Sequence, residues 1–109
     1  MSRYVLAPEA RTDLQEIRNF YVAEAGIDAT RRVLAELRTG FLFLARNHRA
    51  GHYRRDLTER AVCFWAVRSY LVVYWPETNP LEIVAVLHGA RDVQRILGRQ
   101  LGVVEAEQV

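Results

Sequence analysis

Two stripes of apolar residues in the first half of the chain predict two amphipathic helices. The first stripe recurs at steps of three and four residues, the spacing of one helical face, and consists of Ala10, Leu14, Ile17, Tyr21 and Ala25. Pro8 suits the first turn of a helix, where its missing N–H needs no partner. Gly26 is a typical stop. The second stripe consists of Val33, Leu34, Leu37, Phe41 and Leu44. The short connection between them predicts an antiparallel helical hairpin.

The second half of the chain changes to short runs rich in β-branched and aromatic residues, which are typical of strands. Three such runs predict strands at 61–67, 70–75 and 81–88, separated by turns at 68–69 and 76–80. Consecutive strands joined by short turns form an antiparallel meander. Two further elements are predicted at the ends of the chain: a short strand at 3–7 and a short helix at 90–97.

This order of elements predicts an α+β fold. The expected architecture is an N-terminal strand, a helical hairpin packed on a three- to four-stranded, largely antiparallel sheet, and a short C-terminal helix. Half of the 109 residues are hydrophobic, which is enough for one core. Residues 1–97 are therefore predicted to form a single domain, and residues 98–109 a flexible tail.

Both faces of the predicted meander are apolar. In the middle strand, Leu71, Val73 and Trp75 alternate with the equally apolar Tyr70, Val72 and Tyr74. Strict alternation in the last strand would place one set of side chains, Leu81, Ile83, Ala85 and Leu87, opposite a second set, Glu82, Val84, Val86 and His88. One helical hairpin covers only one face, so an apolar surface would remain for a partner. The alternative is that the tail and the 46–59 segment cover it.

The charged residues exclude some kinds of chemistry. All 15 basic residues are arginine, which clamps carboxylates or phosphates but cannot act as a general base. Five of them lie between Arg46 and Arg60, where only two acidic residues occur, so this stretch is locally basic.

Cys63 is the only cysteine, which rules out an intrachain disulfide. No His or Cys spacing fits a zinc site, so neither a metal nor a cofactor is predicted.

The N-terminus enters a strand-like segment without an apolar signal core, and no run approaches the roughly 20 apolar residues of a membrane span. A cytoplasmic protein with no membrane partner is expected.

Four ordered segments resemble the RelE/ParE toxin superfamily, and its ParE branch most closely. They are the run from Tyr4 to Ala10 with Asp13, Leu14 and Ile17 after it; Gly51 before Arg54 to Leu57; Arg68 to Tyr74; and Val86 to Val93. The resemblance implies a small bacterial growth-inhibiting toxin of a type II toxin–antitoxin system. A ParD-like antitoxin would neutralise it in a hetero-oligomer, and its target would be DNA gyrase, inhibited by binding.

The surplus apolar surface of the meander is the predicted site for this partner, and particular residues are expected to fill the roles. The side chains expected to contact the antitoxin are Phe64, Tyr70, Val72, Tyr74, Val84 and Val86. Those expected to contact the target or to hold the fold are Arg54, Arg55, His88, Arg91 and Asp92.

Two alternatives to gyrase inhibition remain open from the sequence. A RelE-like ribosome-dependent mRNA endoribonuclease would use His88 as its base and Arg54, Arg55, Arg60 and Arg91 as cations for the phosphorane. No tyrosine follows Tyr74, and no lysine is present, so the basic cluster and late tyrosine of RelE-type cleavage have no counterpart. No catalytic residue is therefore expected under the leading hypothesis. The second alternative is a non-toxic relative that only binds the antitoxin.

Overall fold

The computed structural model describes residues 3–88, which form an α+β fold with a long helix packed on a mixed sheet. The elements are β1 (Tyr4–Leu6), α1 (Pro8–Arg46), β2 (His52–Tyr53), β3 (Cys63–Val67), β4 (Tyr70–Trp75) and β5 (Leu81–His88). The helix predicted at 90–97 and the tail predicted at 98–109 lie outside the described residues.

The predicted pair of helices is one helical element in which Gly26 alone departs from helical geometry. Its φ of 89° and ψ of 174° are open to glycine but strained for any residue with a Cβ. A straight 39-residue helix would be about 58 Å long, more than the molecule's largest dimension of 45 Å. The chain therefore folds back at Gly26. A single residue, Gly26, makes the reversal, in agreement with the short connection that the sequence predicted between two helices.

The sheet has five strands in the order β1-β5-β4-β3-β2. β3, β4 and β5 form the predicted antiparallel meander, and β4 and β5 have the predicted bounds. Two features differ from the prediction of three to four largely antiparallel strands. β1 pairs with β5 in parallel, and the two-residue β2 extends the other edge beside β3. β2 was missed because two residues are too few to show an alternation.

The main core lies between α1 and one face of the sheet. Both halves of the helix contribute to it, through Ala10 and Ile17 before the turn and through Val33, Leu37, Phe41 and Leu44 after it. The strands contribute Cys63, Tyr70, Val72, Tyr74, Leu81, Ile83 and Val86. Gly40 lets the helix approach β3 closely, because a Cβ there would lie 2.9 Å from Cγ2 of Val67.

A β-bulge at Val84 corrects the predicted alternation of β5. Val73 pairs with Ala85 and Tyr74 with Ile83, so Val84 has no partner in β4. An extra residue in one strand reverses the direction of the side chains beyond it. Leu81 and Ile83 therefore pack under the helix, as does Val86, whereas Ala85 and Leu87 belong to a second cluster that contains Val73.

The second cluster occupies the opposite face of the sheet and is also buried. Its members are Val62, Phe64, Val73, Val84, Ala85 and Leu87, each at most 3% exposed. Leu57, from the segment between β2 and β3, packs against it. The apolar surface that strand composition predicted is thus buried at these positions, and Leu57 belongs to the 46–59 segment named in the alternative. The tail named with it lies outside the described residues.

Polar contacts also tie the helix to the sheet. A carboxylate oxygen of Asp13 accepts a hydrogen bond from the backbone N–H of Val86 at 2.9 Å. The short β1 pairs with β5 only from Leu81 to Ile83, so it does not extend to Val86. Arg68, in the turn between β3 and β4, donates two hydrogen bonds to the carboxylate of Glu36. The Arg68 guanidinium lowers the pKa of Glu36. These contacts fix the position of each helical half relative to the strands.

Candidate functional site

The six side chains predicted to contact an antitoxin are divided between the two faces of the sheet. Tyr70, Val72, Tyr74 and Val86 lie in the core under α1, whereas Phe64 and Val84 belong to the second cluster. None is more than 5% exposed. They therefore do not form one continuous surface, and in this structure each packs within the protein. Their contact with an antitoxin stays a prediction.

Tyr74 holds the segment that follows the helix. Its hydroxyl donates to the carbonyl oxygen of His48 at 2.8 Å and accepts from the N–H of Gly51 at 2.9 Å. Burial raises the pKa of Tyr74 to about 12. Gly51 fits because it lacks a side chain: an added Cβ would lie 2.6 Å from the Tyr74 hydroxyl. Tyr74 thus anchors the approach to β2.

Tyr70 and His88 pair at the opposite end of the sheet. The two residues face each other across β4 and β5, and their ring centroids are 5.0 Å apart. Burial is the main cause that raises the pKa of Tyr70 to about 12, and a hydrogen bond with Tyr21 is the second cause. The imidazole of His88 is exposed, and its placement at the strand end agrees with the sequence prediction.

The predicted basic residues after β2 make local contacts. Arg54 donates two hydrogen bonds to Asp56, at 2.9 and 2.7 Å, and lowers the pKa of that carboxyl. The Arg55 guanidinium lies 5.5 Å from the centroid of the Tyr53 ring and donates to the carbonyl of Glu59. The backbone N–H of Arg60 donates to the Thr58 hydroxyl. These contacts order the segment between β2 and β3.

The register of the sheet separates His88 from the arginines after β2. Tyr53 in β2 pairs with Cys63 in β3, Cys63 pairs with Tyr74 in β4, and Tyr74 pairs with Ile83 in β5. These residues therefore lie at one height in the sheet. His88 lies five residues farther along β5 and three strands across from β2. At about 3.3 Å per residue and 4.8 Å per strand, the backbone of His88 is roughly 20 Å from that of Tyr53, which directly precedes Arg54. The structure therefore does not bring His88 and Arg54 to one site. Arg91 and Asp92 lie outside the described residues.

A cleft that the sequence analysis missed lies between the two halves of α1 and β1. It has a volume of about 330 Å³. Its apolar lining comes from Tyr4, Leu6, Leu14, Leu34, Leu37 and Phe41, and Arg11, Arg18 and Arg38 lie around it with Gln15. We call it the arginine cleft. Its residues come from three separate segments, so no local motif could reveal it.

The sequence model of a protein family, described as the ParE toxin of the type II toxin–antitoxin system parDE, matches residues 4–93 of this chain. The chain belongs to the ParE toxin family. The match covers every element of the described structure, from β1 to β5. It therefore supports the ParE resemblance seen in the ordered segments of the sequence.

A solved structure also resembles this ParE-family chain. It is described as a chromosomal ParDE toxin–antitoxin system from P. aeruginosa, and the match has a TM-score of 0.68. The two chains share 15% identity over 82% of this chain and 97% of the other. The TM-score shows a shared fold, and at this identity the likeness extends no further than the fold. A search of curated proteins gave no match.

Cys63, the only cysteine of the ParE-family chain, is buried in the main core. Burial raises the pKa of the Cys63 thiol, which disfavours the thiolate. Within residues 3–88, no three His, Cys, Asp or Glu side chains are grouped so that they could hold a metal ion. No helix in that part of the chain is long and apolar enough to cross a membrane.

Proposed function

We propose that the chain is the toxin of a type II toxin–antitoxin pair and that it inhibits DNA gyrase by binding. A ParD-like antitoxin neutralises it in a hetero-oligomer. Membership in the ParE toxin family supports the toxin role and the antitoxin partner. Gyrase as the target follows from the ParE resemblance of the ordered sequence segments.

The separation of His88 from the basic segment after β2 is the observation that favours binding over catalysis. A metal-free ribonuclease needs its base and its phosphate-binding cations within hydrogen-bond reach of one substrate. His88 and Arg54 are roughly 20 Å apart by strand register, and Arg54 is already paired with Asp56. One scissile phosphate cannot contact both.

An in vitro supercoiling assay tests the target. Relaxed plasmid is incubated with gyrase, ATP and increasing amounts of the purified chain. We expect supercoiling to fall as the toxin concentration rises. Toxin mixed beforehand with an equimolar amount of the proposed ParD-like antitoxin serves as the control and should restore supercoiling.

A parallel translation assay tests the ribonuclease alternative with the same preparations. Reporter transcripts are translated on purified ribosomes in the presence of toxin, and their ends are mapped by primer extension. We expect intact transcripts. Unchanged supercoiling at a large molar excess of toxin, together with ribosome-dependent transcript cleavage, would overturn the proposal. If neither activity is found although the antitoxin binds, the chain is a non-toxic antitoxin-binding relative.

A further inference from the structure

The last three residues of β3 form an open edge of the described sheet. β2 lies beside β3 only at the first two residues of that strand. After Val67 the chain turns at Arg68, whose φ of 55° belongs to a tight turn, and enters β4. The open edge is therefore Trp65–Val67, bounded by β2 at one end and by the turn at the other. We call it the β3 edge.

The backbone groups of Ala66 point outward from the β3 edge. A Cβ at Gly51, just before β2, would lie 2.9 Å from the carbonyl oxygen of Phe64, so that oxygen points towards β2. Because residues two positions apart in a strand share a direction, the N–H and C=O of Ala66 point the same way, past the end of β2. Within residues 3–88, no hydrogen bond outside the strand pairings uses these two groups. Ala66, which is exposed, therefore offers one donor and one acceptor at the centre of the edge.

An apolar groove lies beside the β3 edge, on the helix side of the sheet. It has a volume of about 400 Å³ and is lined by Phe43 and Trp65, whose rings stack with their centroids 5.2 Å apart. Phe43 is 41% exposed. Glu36 is the only charged residue among the described residues that line the groove, and it is paired with Arg68. An apolar groove whose one charge is neutralised favours an apolar protein surface over a nucleic acid or an acidic peptide.

We propose that two copies of the chain associate through the β3 edge, with Ala66 on the two-fold axis. Two antiparallel copies of Ala66 exchange two hydrogen bonds, from the N–H of each to the C=O of the other, so both outward groups gain a partner. Opposed residues of paired strands share one face of the sheet, so Trp65 of one copy packs against Val67 of the other. The pairing joins the two sheets and places the two apolar grooves side by side.

A second copy fits the β3 edge better than an extended peptide does. A typical strand has about five or six residues, and one of that length laid along the edge would run into β2 or past the turn. β3 of a second copy leaves the edge after Val67, because the chain turns at Arg68 before it reaches β2. The two-fold axis also supplies the same apolar groove from both sides. Self-association needs neither antitoxin nor gyrase, so it holds or fails independently of the proposed function.

Charged substitutions at Ala66 test the two-fold pairing. Across the axis the two Cβ atoms would lie about 5 Å apart, so Ala66→Glu places two carboxylates against each other. Sedimentation equilibrium of the purified chain measures association over about a hundredfold range of concentration, because so short an edge gives a weak dimer. We expect wild type to approach twice its mass of 12.6 kDa. Ala66→Glu should dimerise at least about tenfold more weakly, since like charges repel at a contact.

The matched control is Ala61→Glu, which adds the same charge to an exposed alanine outside the β3 edge. Its dimerisation should stay within about twofold of wild type. An equimolar mixture of the Ala66→Glu and Ala66→Arg variants separates pairing at the axis from a general effect of charge. Because residue 66 faces its own copy, the mixture should associate more tightly than either variant alone. Circular dichroism confirms that each variant is folded.

Hydrogen exchange in wild type tests the backbone pairing without any substitution. The amide of Ala66 should exchange more slowly as the toxin concentration rises. A wild-type chain that stays monomeric, an Ala66→Glu variant that dimerises like wild type, or a mixture no tighter than the single variants would overturn the proposal. Protection of the Ala66 amide only when the proposed ParD-like antitoxin is added would also overturn it and would assign the β3 edge to that partner.

Discussion

At the scale of single residues, Tyr74 has the largest structural role among the residues predicted to bind a partner. It is fully buried, and its hydroxyl joins two backbone groups, the carbonyl of His48 and the N–H of Gly51. The apolar composition of β4 suggested a docking surface, but a buried tyrosine hydroxyl needs partners within the protein. The ring contributes to the core, while the hydroxyl determines the path of the chain into β2.

Replacing Tyr74 by phenylalanine should destabilise the protein. The substitution keeps the ring but leaves the His48 carbonyl and the Gly51 N–H without their partner, at a cost of about 1–3 kcal/mol. Urea denaturation followed by circular dichroism measures the change. Tyr53→Phe is the matched control, since Tyr53 is 41% exposed, and it should change stability by less than about 0.5 kcal/mol. Equal effects of the two substitutions would show that the Tyr74 hydroxyl is not a structural link.

The two buried tyrosines predict a loss of stability at alkaline pH. Burial raises the pKa of both Tyr70 and Tyr74 from 10.0 to about 12, so the folded state holds protons that the unfolded state releases. This contribution to stability is fully present below pH 10 and is lost as the pH rises from 10 towards 12. Urea denaturation at several pH values across this range measures the slope. The Tyr70→Phe, Tyr74→Phe double variant should show a shallower slope, and an unchanged slope would contradict the assignment.

At the scale of elements, the reversal at Gly26 determines whether the two helical halves pack side by side. A Cβ at this position would meet nothing within 4 Å, so the requirement for glycine comes from its φ of +89° and not from crowding. Replacement by L-alanine should destabilise the protein by about 1–3 kcal/mol, the usual cost of a glycine-only conformation. Thermal unfolding measures the loss.

A chemically synthesised chain with D-alanine at position 26 is the matched control. The mirror-image residue adds the same methyl group but accepts a positive φ, so its stability should stay close to that of wild type. A similar loss with both enantiomers would mean that the methyl group, and not the backbone conformation, is responsible.

Local patterns predicted the elements whose signals lie within one segment. The runs of β4 and β5 are rich in β-branched and aromatic residues and are bounded by turns, so their bounds were predicted as the structure has them. The bulge at Val84 was not predictable, because every nearby residue is apolar and either register buries apolar side chains. The parallel pairing of β1 with β5 joins residues nearly 80 positions apart and has no local signal.

The same limit applies to the candidate sites. Composition indicated that both sheet faces are apolar, but it could not show which face α1 covers or that Leu57 packs on the other. The predicted antitoxin residues therefore fell on two faces. The arginine cleft depends on the reversal at Gly26, which brings Arg18 near Arg38, and spacing along the chain does not reveal that proximity.

At the scale of the whole molecule, the sheet places its predicted reactive groups at opposite ends. The ring of His88 packs against that of Tyr70 at one end, and Arg54 pairs with Asp56 beyond the other. A ribonuclease that used both groups on one phosphate would lose nearly all activity when either was removed, because catalytic residues that act as a unit are not additive. A binding toxin has no such requirement.

Replacement of His88 by alanine should therefore leave growth arrest largely intact. The side chain is exposed and its ring centroid lies 5.0 Å from that of Tyr70, so its removal should not open the core. Growth is measured in bacteria that express the toxin from a titratable promoter, with protein levels matched by immunoblotting. We expect the inducer concentration for half-maximal arrest to change by less than about threefold, the range of a surface substitution without a catalytic role.

Arg54→Ala, at the far end of the sheet, is compared in the same strain, alone and combined with His88→Ala, and the two effects on growth arrest should add. Complete loss of arrest by His88→Ala, at wild-type protein level and with an unchanged circular dichroism spectrum, would contradict this expectation and favour the ribonuclease alternative.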